Sequence, residues 1–368
     1  MNSVLVIGGS GFLGSHVVEQ LVNDGGYSVT VFDIRQLSES DDGYCSGVRY
    51  LQGSIVDSSS IEEAVKTSKP DAVLHTASPV HGLPEKIYYD VNVEGTRNVI
   101  SACRAAGVKN LVYTSSTGAV WTGQDFHGVS EDRIGLPVKG YDAYHHTKAV
   151  GERLVLSAQQ DGMNTVILRP CGMTGYRFFS RVEGQWATQD VRRPSERDKQ
   201  LIWRMAEVHE NKQHTVQIGD NTNLIDYAYA GNVAHAHVLA CAKLLTQPNT
   251  VSGQSFFITN GEPMPPWDFS RMIWKELGDD GKGRITVIPR FLGLILAILA
   301  EIWCRITGSS TQFNRFSVRF ITGTQWYNID KARKLLGYKP TVTLGQAVER
   351  TVKWWKTTGA AQHALQKH

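Results

Sequence analysis

The sequence is poor in cysteine, in net charge and in metal-binding patterns. Its five cysteines, Cys45, Cys103, Cys171, Cys241 and Cys304, are scattered, odd in number and never spaced as CxxC. That usage excludes a disulfide framework and fits reduced thiols facing the cytosol. The formal net charge is only +3 over 368 residues. No Lys/Arg-rich run stands out either, so no nucleic-acid partner is expected. His145 and His146 are adjacent and His235 and His237 lie two apart, which lacks the i, i+4 spacing of an HExxH helix. No metal site is expected, and these histidines read as packing or surface residues. MNSVLVIGG runs directly into a strand with no charged leader, so no signal peptide is expected. Repeats and low-complexity segments are missing as well.

What is there describes an ordinary folded chain, with 41% hydrophobic and 20% charged residues. Short apolar runs at Ser3 to Ile7, Ser28 to Phe32, Ala72 to His75 and Asn110 to Tyr113 alternate with helical patterns. One such helix, in VNVEGTRNVISACRAAG, ends on Gly107. Strands separated by helices indicate βαβ units and a parallel sheet. The expected fold is α/β, a Rossmann-type doubly wound parallel sheet. It occupies 1–170, with a smaller substrate-binding lobe over 171–368 interwoven with the sheet.

GGSGFLG places Gly8, Gly11 and Gly14 three apart, after a strand and at the opening of a helix. Glycine permits the tight turn and the close backbone approach, and the helix N-terminus offers N–H groups to a diphosphate. In that context the pattern is a dinucleotide fingerprint. Asp33 closes the second strand about twenty residues on, where such a site places an acid on the ribose hydroxyls. NAD is therefore expected over NADP, with Arg35 two residues later acting against that preference.

YDAYHHTKAV sets Tyr144 and Lys148 four apart, on one helical face. An ammonium beside a phenol favours the phenolate and lowers the tyrosine toward neutrality. Tyr144 is thus a candidate general base for an alcohol proton.

The glycine turn, Asp33, YTSS (Tyr113 to Ser116) and YHHTK (Tyr144 to Lys148) together resemble the extended short-chain dehydrogenase/reductases. Within them the chain is similar to the 3β-hydroxysteroid dehydrogenase group, in its branch that oxidises and decarboxylates sterol 4α-carboxylates. HTASP (His75 to Pro79), VNVEGT (Val91 to Thr96), RPCGMTG (Arg169 to Gly175) and QIGDNTN (Gln217 to Asn223) carry that closer likeness. The resemblance spans nearly the whole chain. It implies Tyr144 as base, Lys148 as its partner and ribose ligand, Ser116 as the hydroxyl that orients the substrate oxygen, and Asn92 as a supporting asparagine. Ser115 stands as the alternative to Ser116. Phe12, Leu13, Ile55, Ala77, Pro170 and Cys171 join the glycines and Asp33 in the implied NAD site.

Three departures stand out. Ser54 replaces an acidic residue near the adenine, and Ile7 replaces a threonine before the glycines. The third is an insertion of seventeen residues, YRFFSRVEGQWATQDVR at 176–192, after Gly175. It reads as a lid, as an artefact of gene structure, or as a loop without function, the last being preferred.

The apolar run from Phe291 to Ala300 is ten residues long, too short to span a bilayer. Its apolar residues cover most of a helical circumference, which requires burial in protein or lipid. A core helix and membrane-surface contact through 289–305 both remain open. The implied activity is NAD-dependent oxidation of the 3β-hydroxyl of a sterol-like or triterpenoid 4-carboxylate, with decarboxylation. The implied place is the cytosolic face of the endoplasmic reticulum membrane, with the cytoplasm as alternative. Competing readings are a dehydrogenase without decarboxylation, a nucleotide-sugar epimerase or dehydratase, and a non-catalytic NAD-binding regulator. Monomer or homo-oligomer stays open.

Overall fold

Val4 to Ile7 are all buried. A strand buried on both faces belongs in a parallel sheet covered by helices on each side. In the computed structural model, which describes residues 1–41, 43–175, 201–309 and 311–357, this strand lies near the middle of such a sheet. Its strands are β1 (Asn2–Ile7), β2 (Tyr27–Asp33), β3 (Arg49–Gln52), β4 (Ala72–His75), β5 (Asn110–Thr114), β6 (Asn164–Pro170) and β7 (Gln254–Ile258). They run in the order β7-β6-β5-β4-β1-β2-β3, every neighbouring pair parallel. This is the expected Rossmann-type sheet, extended at one edge by a strand from the second half of the chain.

Alternation along β1 separates two cores. Val4 and Val6 pack with α1 (Phe12–Asp24), while Leu5 and Ile7 pack with α2 (Ser58–Ser68), α3 (Thr96–Ala105) and α4 (Ala143–Gln160). α5 (Ala230–Thr246) joins α1 on the first face. The chain leaves β1 toward one sheet edge and β4 toward the other. Their diverging loops open the crevice at the carboxyl ends of the strands, where α/β sheets bind ligands.

α4 is the helix that positions the site. Asp142 caps it by accepting from the His145 backbone N–H. One turn beyond Lys148, Glu152 is fully buried and accepts from Arg169 on β6, Ser115 after β5 and Ser255 on β7. One carboxylate thereby holds the helix to three consecutive strands.

α6 (Arg290–Thr307) corrects one expectation. Gly293 and Ala297 are buried, but Leu292, Ile295 and Leu299 are 40%, 49% and 56% exposed. The core-helix reading is therefore overturned: the helix rests on small residues and turns its large apolar ones outward. Among the described residues, no helix is long and apolar enough to cross a membrane. The insertion at 176–192 lies outside the described residues.

Removing one partner of a buried ion pair leaves an uncompensated charge. Glu152→Ala should cost about 3–5 kcal/mol of folding stability, measured by denaturant unfolding. A loss near that of an ordinary surface substitution would refute the clamp.

Candidate active site

The crevice is a cavity of about 1590 Å³. Gly8, Gly11, Phe12, Leu13 and Gly14 line one end. Gly8 has φ +81°, and a Cβ there would lie 2.6 Å from the Ala77 nitrogen. A Cβ on Gly14 would lie 2.0 Å from the Gly8 carbonyl oxygen. No side chain fits at either position, so the turn is drawn tight beneath α1. Gly11 caps α1 without a side-chain bond, which leaves the first N–H groups of the helix facing the cavity for an anion. This cradle fits a dinucleotide diphosphate.

Asp33 lines the same end and accepts from the backbone N–H groups of Ser10 and Arg35, each at 3.0 Å. Burial pushes its carboxyl up, and those N–H groups oppose the rise. The Arg35 guanidinium bonds Asp41 at 2.5 Å, so its charge is engaged beside the cavity wall. Ile55, Ala77, Pro170 and Cys171 line the cavity too, as does Ser54, whose hydroxyl accepts from the Val56 N–H. Burial raises the Cys171 thiol well above its ordinary range.

Ser116, Tyr144 and Lys148 line the same cavity. Ser115 and Ser116 part ways here: the Ser115 hydroxyl donates to Glu152 at 2.6 Å, while Ser116 hydrogen-bonds Tyr144. Asn92 is set one layer back, in a widened π-helical segment, Tyr89–Gly95. It is fully buried, accepts from Ser78 and donates to Thr147.

The charge state differs from the expectation of a tyrosine lowered by its lysine. Burial pushes Tyr144 up to about 12, and the Ser116 bond only partly counters it. Burial also brings Lys148 down to about 7, with Glu152 opposing, and its Nζ donates to the Thr114 carbonyl at 3.0 Å. Desolvation disfavours both charged forms and is the largest cause of each shift.

Other residues at the site carry no periodic or motif signal. His81, in the loop after β4, has Nε2 2.9 Å from Asp142 Oδ2, which accepts the hydrogen bond. His145 Nδ1 is 2.7 Å from Asp142 Oδ1. Both histidines line the cavity beside Tyr144. The three side chains offer ligand atoms within 4.8 Å of one another. His145 is thus buried at the site, and His237, read as surface, is fully buried with Nε2 at 2.7 Å from the Thr114 hydroxyl. Only their three-dimensional neighbours reveal either placement.

The family model of the 3-beta hydroxysteroid dehydrogenase/isomerase family matches residues 5–183 and 194–290, and the stretch between the two segments overlaps the insertion. The chain is 38% identical over 357 residues to a decarboxylating sterol-4-alpha-carboxylate 3-dehydrogenase of Schizosaccharomyces pombe, covering 97% of this chain and 98% of that protein. It is 35% identical over 355 residues to the human protein of the same description, covering 95% and 87%. Among solved structures, a UDP-glucose 4-epimerase of Thermus thermophilus in complex with NAD superposes with a TM-score of 0.69 at 22% identity. That superposition covers 97% of this chain and 99% of the other, a likeness of fold.

The Lys148 shift carries a stability prediction. The unfolded lysine keeps its proton to about 10.5, whereas the folded one releases it near 7. Between those values the unfolded chain binds more protons, so this group makes stability rise with pH. Lys148→Met should be more stable than the parent at pH 6.5, with the advantage shrinking toward pH 10 in thermal melts without added NAD. Equal stability at every pH would mean that burial places no strain on the ammonium.

Proposed function

The chain belongs to the 3-beta hydroxysteroid dehydrogenase/isomerase family, and from that premise we propose that it oxidises the 3β-hydroxyl of a sterol-like or triterpenoid 4-carboxylate with NAD, releasing carbon dioxide. The observation that carries the reading is one cavity lined both by the glycine cradle and by Ser116, Tyr144 and Lys148. The decarboxylating relatives, similar over almost their full length, supply the substrate class. NAD, when bound, supplies the acceptor for the hydride from the carbinol carbon.

The chain's own residues do the rest. Gly8, Gly11 and Gly14 admit the diphosphate to the helix N-terminus, and Asp33 takes the ribose hydroxyls and repels a 2′-phosphate. Ser116 holds the substrate hydroxyl, and Tyr144 accepts its proton. A phenol near 12 needs positive charge beside it for that task, and Lys148, one turn along the helix, is the chain's own source. Asn92 anchors the helix turn through Thr147.

Decarboxylation needs no further group. Oxidation leaves a β-keto acid, whose C–CO₂ bond breaks with its electron pair flowing into the ketone. The resulting enolate oxygen sits where Ser116 and the protonated Tyr144 donate hydrogen bonds, so the oxidation site doubles as an oxyanion site. Water then returns a proton to carbon.

α6 supports a membrane-surface role at the endoplasmic reticulum. Its large outward residues include Phe291, Trp303 and Ile306, with Arg290 and Arg305 near its ends. An apolar face flanked by cations suits a helix lying in a lipid interface.

Tyr144→Phe should lose about a hundredfold or more in turnover while binding NAD like the parent. With a labelled 4-carboxylate sterol, carbon dioxide should appear one for one with NADH and disappear in the variant. Carbon dioxide without NAD reduction would sink the coupled mechanism. Changing Leu292, Ile295 and Leu299 together to glutamate should release the folded protein from phospholipid vesicles in flotation. Undiminished flotation would refute docking through α6.

A further inference from the structure

Resting on the membrane-surface role of α6, we propose that a basic pocket at the carboxyl end of that helix binds the phosphate of an anionic phospholipid headgroup. The bound lipid then fixes how the enzyme sits on a bilayer. The pocket is a cavity of about 680 Å³ between the last two turns of α6 and α7 (Arg315–Thr322). Neither the glycine cradle nor Ser116, Tyr144 and Lys148 line it.

The pocket's charge has one sign. Among the described residues, Arg305, Arg315 and Arg319 line it against a single carboxylate, Glu301. That carboxylate is engaged: it accepts from the Arg315 backbone N–H at 2.8 Å and from Arg315 Nε at 2.9 Å. Arg319 reaches the Tyr141 hydroxyl, a neutral group, at 3.5 Å. Three guanidiniums against one carboxylate leave an excess of two positive charges, in a chain whose whole formal excess is +3. All three arginines are exposed, and a guanidinium takes two phosphate oxygens at once.

Helical phase says which phosphate fits. Glu301, Cys304 and Arg305 are one turn apart and line the pocket. Ile302, Trp303 and Ile306, 46%, 65% and 75% exposed, fall on the neighbouring face. The arginines and the apolar residues therefore meet along one edge of α6. A phospholipid has the same layout, acyl chains joined to a phosphate. Chains lying along Ile302 and Ile306 bring the phosphate to Arg305 and Arg319, and Trp303 takes the headgroup level where indoles settle. A free phosphate would use the arginines and leave the apolar edge uncovered.

Thr311, Asn314 and Phe316 line both this pocket and the active-site cavity. Phe316 packs on Tyr141 at 5.7 Å between ring centroids and stacks on His81 at 4.9 Å. A lipid seated in the pocket thus sets the active-site cavity beside the bilayer that holds a sterol-like substrate.

The test is flotation of the purified full-length protein with vesicles of phosphatidylcholine alone and of phosphatidylcholine with phosphatidylserine. The parent should partition about tenfold or more in favour of the anionic vesicles. Arg305→Gln/Arg319→Gln should lose that gain, keep the parent's binding to phosphatidylcholine, and bind NAD like the parent. Lys66→Gln/Lys109→Gln removes the same charge from the last turn of α2 and the residue before β5, at the amino ends of the strands. That variant should keep the gain. Equal losses in the two double variants would overturn the proposal, because net charge alone would then account for the gain. A gain that survives in Arg305→Gln/Arg319→Gln, or a parent that binds both vesicles alike, would overturn it too. So would inorganic phosphate that stabilises the parent but not the arginine variant in thermal melts while vesicles show no anionic gain, since the pocket would then take a soluble anion. A parent that floats with neither vesicle would instead refute the membrane-surface role of α6, leaving the two failures distinguishable.

Discussion

The carboxylate of Glu152 is the constraint on which the site's geometry depends. It lies one turn from Lys148 and two from Tyr144 on α4, and it is gripped by groups from β6, β7 and the end of β5. A buried carboxylate tolerates little displacement, because each lost bond exposes charge to a medium that cannot solvate it. The helix is therefore fixed in rotation as well as in distance. That rotation turns Tyr144 and Lys148 toward the carboxyl ends of β1 and β4, where the glycine cradle stands.

Desolvation is the common force in the site's electrostatics. It raises Tyr144, lowers Lys148 and raises Asp33, three groups of different chemistry pushed toward neutrality. Burial thus makes each charged form less favourable than in water, and the charges brought by ligands meet little water to compete with them. Asp142 is the exception. Its two oxygens are satisfied by two histidines and a backbone N–H, so its charge persists beside the tyrosine. Local hydrogen bonding decides which group stays ionised in an otherwise discharging wall.

The far end of the molecule follows a different logic. α6 buries Gly293 and Ala297 and leaves its bulky residues outside, the reverse of an ordinary amphipathic helix on a core. Beside it, α7 (Arg315–Thr322) carries Phe316, which stacks on His81 at the cavity. The apolar surface and the substrate wall are therefore neighbours, as suits an enzyme whose substrate has low solubility in water.

The sequence alone determined the parallel sheet, because β1 is apolar on both faces, and the cradle, because only glycine survives at Gly8 and Gly14. It also determined that Tyr144 and Lys148 share a face, since their spacing is that of one helical turn. It did not reveal β3, whose residues Arg49 to Gln52 are exposed or half-buried and show no apolar run. Nor did it place β7 beside β6, a pairing between segments far apart in the chain. The tertiary structure alone decided that Ser116 rather than Ser115 meets the tyrosine, because the buried Glu152 claims the other hydroxyl. It alone joined His81 to Asp142 and His145 across sixty-one residues. It alone turned α6 outward, because a helix apolar all round has no preferred face until its small residues find a surface to rest on.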